Sequence, residues 1–135
     1  MAHPEYGWTD ECERQWSIGT DLCIAMARVY RAHCVSTVID VYAPPDPADR
    51  WTALTDELGA TRVTLFPSFE VCLARNAARA REPFIDEAQL KQNYSDFAEC
   101  VDMYPPEHLI DTSALTVTEV VRQIESILDA RRSAG

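Results

Sequence analysis

Lysine is almost absent from this sequence: Lys91 stands alone, and every other cation is arginine. Glycine is also scarce. Gly7, Gly19, Gly59 and Gly135 are the full set, and none is followed by lysine. A phosphate-cradling loop of the GxxxxGK[ST] form is therefore excluded, because it needs glycine backbone amides and a lysine in register. The five cysteines are odd in number and include no CxxC pair, which argues against a disulfide framework or a zinc site. No apolar run approaches the roughly 18 residues of a membrane span. The start, Met1-Ala2-His3-Pro4-Glu5-Tyr6, offers neither a basic nor an apolar signal region, so a cytoplasmic protein is expected. Positive charge is scarce overall. The formal net charge of −10 disfavours a nucleic-acid backbone or an anionic membrane as partner.

What is present describes one globular domain. The 135 residues are 47% hydrophobic, enough for a core. Residues 1–9 read as a loop, with Thr9 or Asp10 capping a helix from about Glu11 to Ala32. Trp16, Ile18, Leu22, Ala25, Met26, Val29 and Tyr30 roughly follow its 3.6-residue period. Gly19 inside it suggests a close approach by another segment. The β-branched run 35–42 reads as a buried strand stopped by Pro44-Pro45. Asp46 to Asp49 open a second helix carrying Trp51, Leu54 and Leu58, with Gly59 past its end. A strand at 62–66, a helix from Phe69 to Ala80 and a loop at 81–84 follow. Asp86 caps a fourth helix to about Cys100. A short strand at 108–111 and a helix from Val117 to Ala130 complete the pattern, and residues 131–135 are expected to fray. Short apolar strands alternating with helices imply an α/β fold, with a parallel sheet of about three strands covered on both faces.

Three groups of residues could carry chemistry. Asp40 lies at a strand's carboxyl end, where ligands of doubly wound sheets sit. It could hold a Mg²⁺-bound water, accept a substrate proton, or cap a turn. Arg75 and Arg79 share a helix face at i, i+4, and Arg81 follows them, with Asn76 between. Such guanidiniums suit closure over a polyphosphate, or pairing with Glu70, Glu82 and Glu87 on a solvated face. Asp111-Thr112-Ser113 leave the last strand as a ligand loop or a helix cap. Near the start, Trp8, Asp10, Arg14 and Trp16 could line a substrate pocket or pack as core. Cys12, Cys23 and Cys34 recur every eleven residues and read as small apolar side chains in a reducing compartment. A redox role would require low-pKa thiols beside cations, which the spacing does not offer.

Three stretches, "STVIDVYAPP", "RVTLFPSFEVCLARNAARARE" and "HLIDTSALTVTEVVRQI", occur in an order that resembles the C-terminal part of the small P-loop kinases. That group includes chloramphenicol phosphotransferase, zeta toxins, gluconate and shikimate kinases and adenylate kinases. The resemblance covers most of the chain from about Asp10 onward, and the middle stretch is its most specific part. It implies a three-layer P-loop NTPase-like fold that lacks its first strand and phosphate loop. It further implies ATP and Mg²⁺ as cofactors, a small-molecule phosphate acceptor, and transferase activity conditional on a phosphate loop. Asp40 would serve Mg²⁺ or the acceptor hydroxyl. Arg75, Arg79 and Arg81 would form the lid clamp, and Asp111, Thr112 and Ser113 would border the adenine. Asp10, Arg14 and Trp16 would flank the acceptor.

Two departures are local: Cys34 stands where the family often has glycine, and Val41 where it often has a second acid. The third is global. The family's loop-bearing strand lies between the strands resembling 36–42 and 62–66, so its absence leaves two sheet edges unpaired. A longer natural chain, direct pairing of the flanking strands, or a homo-oligomer would each resolve this. The alternative to a kinase is a non-catalytic, self-associating remnant of the fold.

Overall fold

The computed structural model describes residues 9–42, 50–79 and 85–134, with the side chains of 50, 52–54 and 134 excepted. Five α-helices and two short strands are formed among them: α1 (Asp10–Ala32), α2 (Arg50–Leu58), β1 (Thr64–Leu65), α3 (Phe69–Ala77), α4 (Glu87–Glu99), β2 (Leu109–Ile110) and α5 (Val117–Ala134). Helices α1 and α2 belong to one compact unit, and the chain from Thr61 onward forms a second.

In the first unit, α1 begins where the sequence places a cap. The Thr9 hydroxyl accepts from the Cys12 amide at 3.3 Å, and Asp10, Glu11 and Glu13 set negative charge against the positive end of the helix. The far end closes as a Schellman turn. The Val35 amide donates to the Tyr30 carbonyl and the Cys34 amide to the Arg31 carbonyl, both at 2.9 Å. That turn puts Cys34 at φ 59°, a left-handed conformation that glycine adopts without steric cost. Gly59, just past α2, also has φ 59°, as a cap position requires. No atom lies within 4 Å of the place a Gly19 side chain would take, so the close approach expected there is not found among the described residues.

The buried face of α1 is Thr20, Ile24 and Ala27, not the apolar stripe read from the sequence. Leu22 and Val29 are each 59% exposed, and Trp16, Ile18, Met26 and Tyr30 are also open. Trp51 of α2 is buried. Arg28 and Glu57 join α1 to α2 through a two-point ion pair at 2.8 and 2.6 Å.

Residues 35–42, expected as a buried strand, form none. Val38 is 96% exposed and Asp40 is exposed in extended chain. An isolated β-branched segment gains nothing from its propensity without ladder bonds from a neighbour. Among the described residues the sheet contains only β1 and β2. The Pro44-Pro45 stop, the start of the second helix at 46–49, and the 1–8 and 81–84 loops lie outside the described residues.

The second unit holds the sheet, a single parallel pair among the described residues, with Thr64 opposite Leu109 and Leu65 opposite Ile110. Both strands are shorter than expected, although the Phe66 amide adds a further bond to the Ile110 carbonyl at 2.9 Å. The fold is therefore α/β in the broad sense, with helices predominating. An aromatic run packs beside the pair. Phe66 stacks on Tyr94 and Phe97 at 4.9 and 5.3 Å, and Phe97 stacks on buried Tyr104 at 5.6 Å. The Arg62 guanidinium lies 4.8 Å over the Tyr104 ring. The cap expected of Asp86 is formed: it accepts from the Gln89 amide at 3.0 Å at the start of α4. Ser68 caps α3. Thr116 and Glu119 make a reciprocal capping box at the start of α5. Helix α5 continues through Ala134, into the segment expected to fray, and α3 stops at Ala77, short of Ala80. Among the described residues no helix is long and apolar enough to cross a membrane.

Candidate functional site

Parallel pairing sends β1 and β2 the same way, so the loops that leave them emerge at one edge. After β1 the chain turns at Pro67-Ser68 into α3; after β2 it turns at Asp111-Thr112-Ser113. The two loops are bonded to each other. The Ser68 amide donates to the Ser113 hydroxyl at 2.8 Å. Ser113 in turn donates to the Asp111 carboxylate through its hydroxyl, and through its amide at 2.9 Å. These donors hold the Asp111 carboxyl below its ordinary value of 3.8, the hydroxyl contributing most.

Arg75, near the end of α3, reaches the same loop. Its Nη1 donates to Thr112 Oγ1 at 3.1 Å and its Nη2 to the Thr112 carbonyl at 2.8 Å. The next residue points elsewhere: buried Asn76 donates to the Ile85 carbonyl at 2.6 Å and accepts from the Ile85 amide at 3.3 Å. The last turn of α3 thus ties down both the loop after β2 and the entry to α4. The Tyr94 hydroxyl adds a tie from α4 to the Pro67 carbonyl at 3.2 Å. Burial raises the Tyr94 phenol above its ordinary value and likewise pushes the Cys72 thiol up, away from reactivity.

Of the residues singled out from sequence, Arg75, Asp111, Thr112 and Ser113 come together here. Arg79 lies just past α3, exposed, and its side chain has no hydrogen-bond or ion-pair partner among the described residues. Arg81 lies outside the described residues. The remaining candidates belong to the first unit. Asp40 is exposed and its carboxylate is unpartnered among the described residues. Asp10 opens α1 and is exposed, as is Trp16. Arg14 is engaged with Glu11 through two contacts of 2.7 Å, and that pairing, helped by Gln15, lowers the Glu11 carboxyl to about 2. Cys12 is drawn below its ordinary value mainly by the Thr9 hydroxyl at 3.0 Å.

No group of three His, Cys, Asp or Glu side chains placed to hold a metal occurs among the described residues. A lone Asp40 carboxylate fits Mg²⁺ only as one ligand of an ion carried in by a nucleotide, whose phosphates and waters would supply the rest. The Asn76–Ile85 clasp and the Tyr94–Pro67 bond were not legible in the sequence, since the partner in each case is a backbone group that any residue carries. Comparison with protein-family models, with curated proteins and with solved structures found no match for this chain.

Proposed function

We propose that the second unit is the base-binding side of a small kinase-like, ATP-dependent phosphotransferase. The observation that supports this most is the junction at the carboxyl edge of the parallel pair, where Arg75, Ser68, Asp111, Thr112 and Ser113 are fixed by mutual hydrogen bonds. Preorganised polar groups beyond the carboxyl ends of parallel strands are what a nucleotide site in an α/β fold requires. Exposed Arg79, just past α3 and followed by Arg81 in the sequence, supplies positive charge in an otherwise acidic chain. In this reading the arginines stabilise polyphosphate charge, and Asp111 and Ser113 face the base. The phosphate-cradling amides and lysine must come from outside these residues, because no glycine here precedes a lysine. Transfer by this chain alone is correspondingly weak or absent. The residues to which the resemblance assigns magnesium and acceptor roles, Asp40, Asp10, Arg14 and Trp16, belong to the first unit.

Isothermal titration of the folded chain with ATP and Mg²⁺ tests the proposal. Micromolar binding that weakens on Arg79→Ala is the expected result. No detectable heat from a folded sample rejects it.

A second reading, a self-associating remnant with no catalysis, is favoured by a separate observation. The α1 stripe Leu22, Ala25, Met26, Val29 and Tyr30 forms an open apolar groove, and Val38 and Val41 are exposed beyond it in the sequence. Sedimentation separates the two: a mass near twice 15.2 kDa supports the remnant, and a monomer opposes it.

A further inference from the structure

The residues at the carboxyl edge do not share one task. We infer that Arg75 and Thr112 are positioning residues that hold the loop after β2, and that the groups this loop presents to a ligand are Asp111 and Ser113. The inference deepens the nucleotide-binding proposal and rests on it.

Thr112 is 3% exposed, so its side chain cannot border a ligand as the resemblance implies. Its neighbours on either side are open: Asp111 is exposed and Ser113 half-buried. Alternation of this kind in a three-residue turn puts one residue into the protein and two outward. What Thr112 meets is Arg75, which spans its hydroxyl and carbonyl with both terminal guanidinium nitrogens. The end-on fork that would grip a phosphate with two parallel bonds is thus already turned on the protein's own chain. Arg79 has no such commitment among the described residues and is exposed.

Geometry makes the hold consequential. The Thr112 carbonyl that Arg75 grips also accepts from the Leu115 amide at 3.4 Å, so one contact fixes the turn that leads into α5. Ser113 sits within that turn, and its hydroxyl bonds both Ser68 and Asp111. Releasing Thr112 would let Asp111 and Ser113 leave the positions at which β1 and β2 deliver them. A lysine at position 75 would keep the charge but, with one nitrogen on a flexible stem, could not span both acceptors.

The test uses the full chain and the variants Arg75→Lys, Arg75→Ala and Thr112→Val. Two measurements are made: hydrogen exchange of amides 113–116 in the free protein, and titration with ATP and Mg²⁺. The expected result is that Arg75→Lys behaves as Arg75→Ala. Both should speed exchange in the loop and weaken ATP binding roughly tenfold, the loss expected when a charge-assisted hold is removed. Thr112→Val should give part of the same loss and add little to Arg75→Ala, because the bond it removes is one of the two that Arg75→Ala already removes. Three outcomes overturn the inference. If Arg75→Lys keeps wild-type affinity while Arg75→Ala loses it, Arg75 acts by charge on the ligand. If loop exchange is unchanged in Arg75→Lys, Arg75 holds nothing there, whether or not ATP binds. If wild type binds no ATP although the loop loosens in Arg75→Lys, the tie is structural only, and the nucleotide reading fails with it.

Discussion

The two units of this chain are held by different kinds of bond. In the first, Ile24, Ala27 and Trp51 are buried, and an exposed ion pair, Arg28–Glu57, joins α1 to α2. In the second, side chains grip backbone across long stretches of sequence. Arg75 holds Thr112, Asn76 holds Ile85, Tyr94 holds Pro67, and an aromatic run fills the space beside the sheet. An exposed ion pair between mobile side chains is worth little, because water and salt compete for both partners. A half-buried bond to a carbonyl or amide fixes geometry as well as energy. The contrast teaches that helix propensity suffices to form α1, whereas the arrangement at the carboxyl edge depends on particular side chains at particular places.

The largest effect should come from the aromatic run. Tyr104→Ala removes a buried ring and its stacking on Phe97, and should cost about 3 kcal/mol. Amide exchange should quicken in β1, β2 and α4. If α1 loses protection in step, the two units behave as one cooperative body and the contrast between them fails.

A smaller gain is expected in the first unit. Cys34→Gly relieves a side chain held at φ 59° and should raise stability by about 1 kcal/mol, read as a higher melting temperature. A fall would mean that the Cys34 side chain has a use that outweighs its strain.

The smallest effect separates the two kinds of bond directly. Arg28 lowers the Glu57 carboxyl from 4.5, and Ser113 lowers Asp111 from 3.8. Each folded value lies below its unfolded one. Each group's contribution to stability is therefore complete above its ordinary value and is lost as pH falls through the depressed folded value. In about 1 M salt, where screening acts within ~3 Å, Glu57 should titrate closer to 4.5 while Asp111 stays depressed. Carboxyl chemical shifts followed through an acid titration at low and high salt would show this. Equal salt shifts would mean that Asp111 is held by charge as well.

Local signals were legible to the extent that local physics decides them. Thr9 and Asp86 each stand before an apolar-periodic run, and each caps the helix it announces. Gly59 is at the end its conformational freedom suggests. Where the outcome depends on a partner, the sequence misleads. The run 35–42 has strand propensity but forms no strand. The α1 stripe has helical period, yet the buried side is the neighbouring face through Ile24. Cys34 hid a left-handed turn, because cysteine does not advertise one. At the candidate site, residue types brought Arg75 and Asp111 to Ser113 to attention. Their division into residues that hold and residues that face outward needed the burial of Thr112, which no spacing encodes.

The parallel register also has a consequence for how the chain is made. Thr64 pairs with Leu109, and Arg75 with Thr112, so neither bond can form until residues 109–112 have been synthesised. Helix α1 needs no such wait, since its cap, its body and its closing turn lie within residues 9–35. Chains emerge at roughly 5–20 residues per second. For several seconds each nascent chain therefore shows a finished first helix, apolar side outward, ahead of a second unit that has not closed. That interval, more than the finished protein, is when the chain is most open to chaperones and to unwanted association.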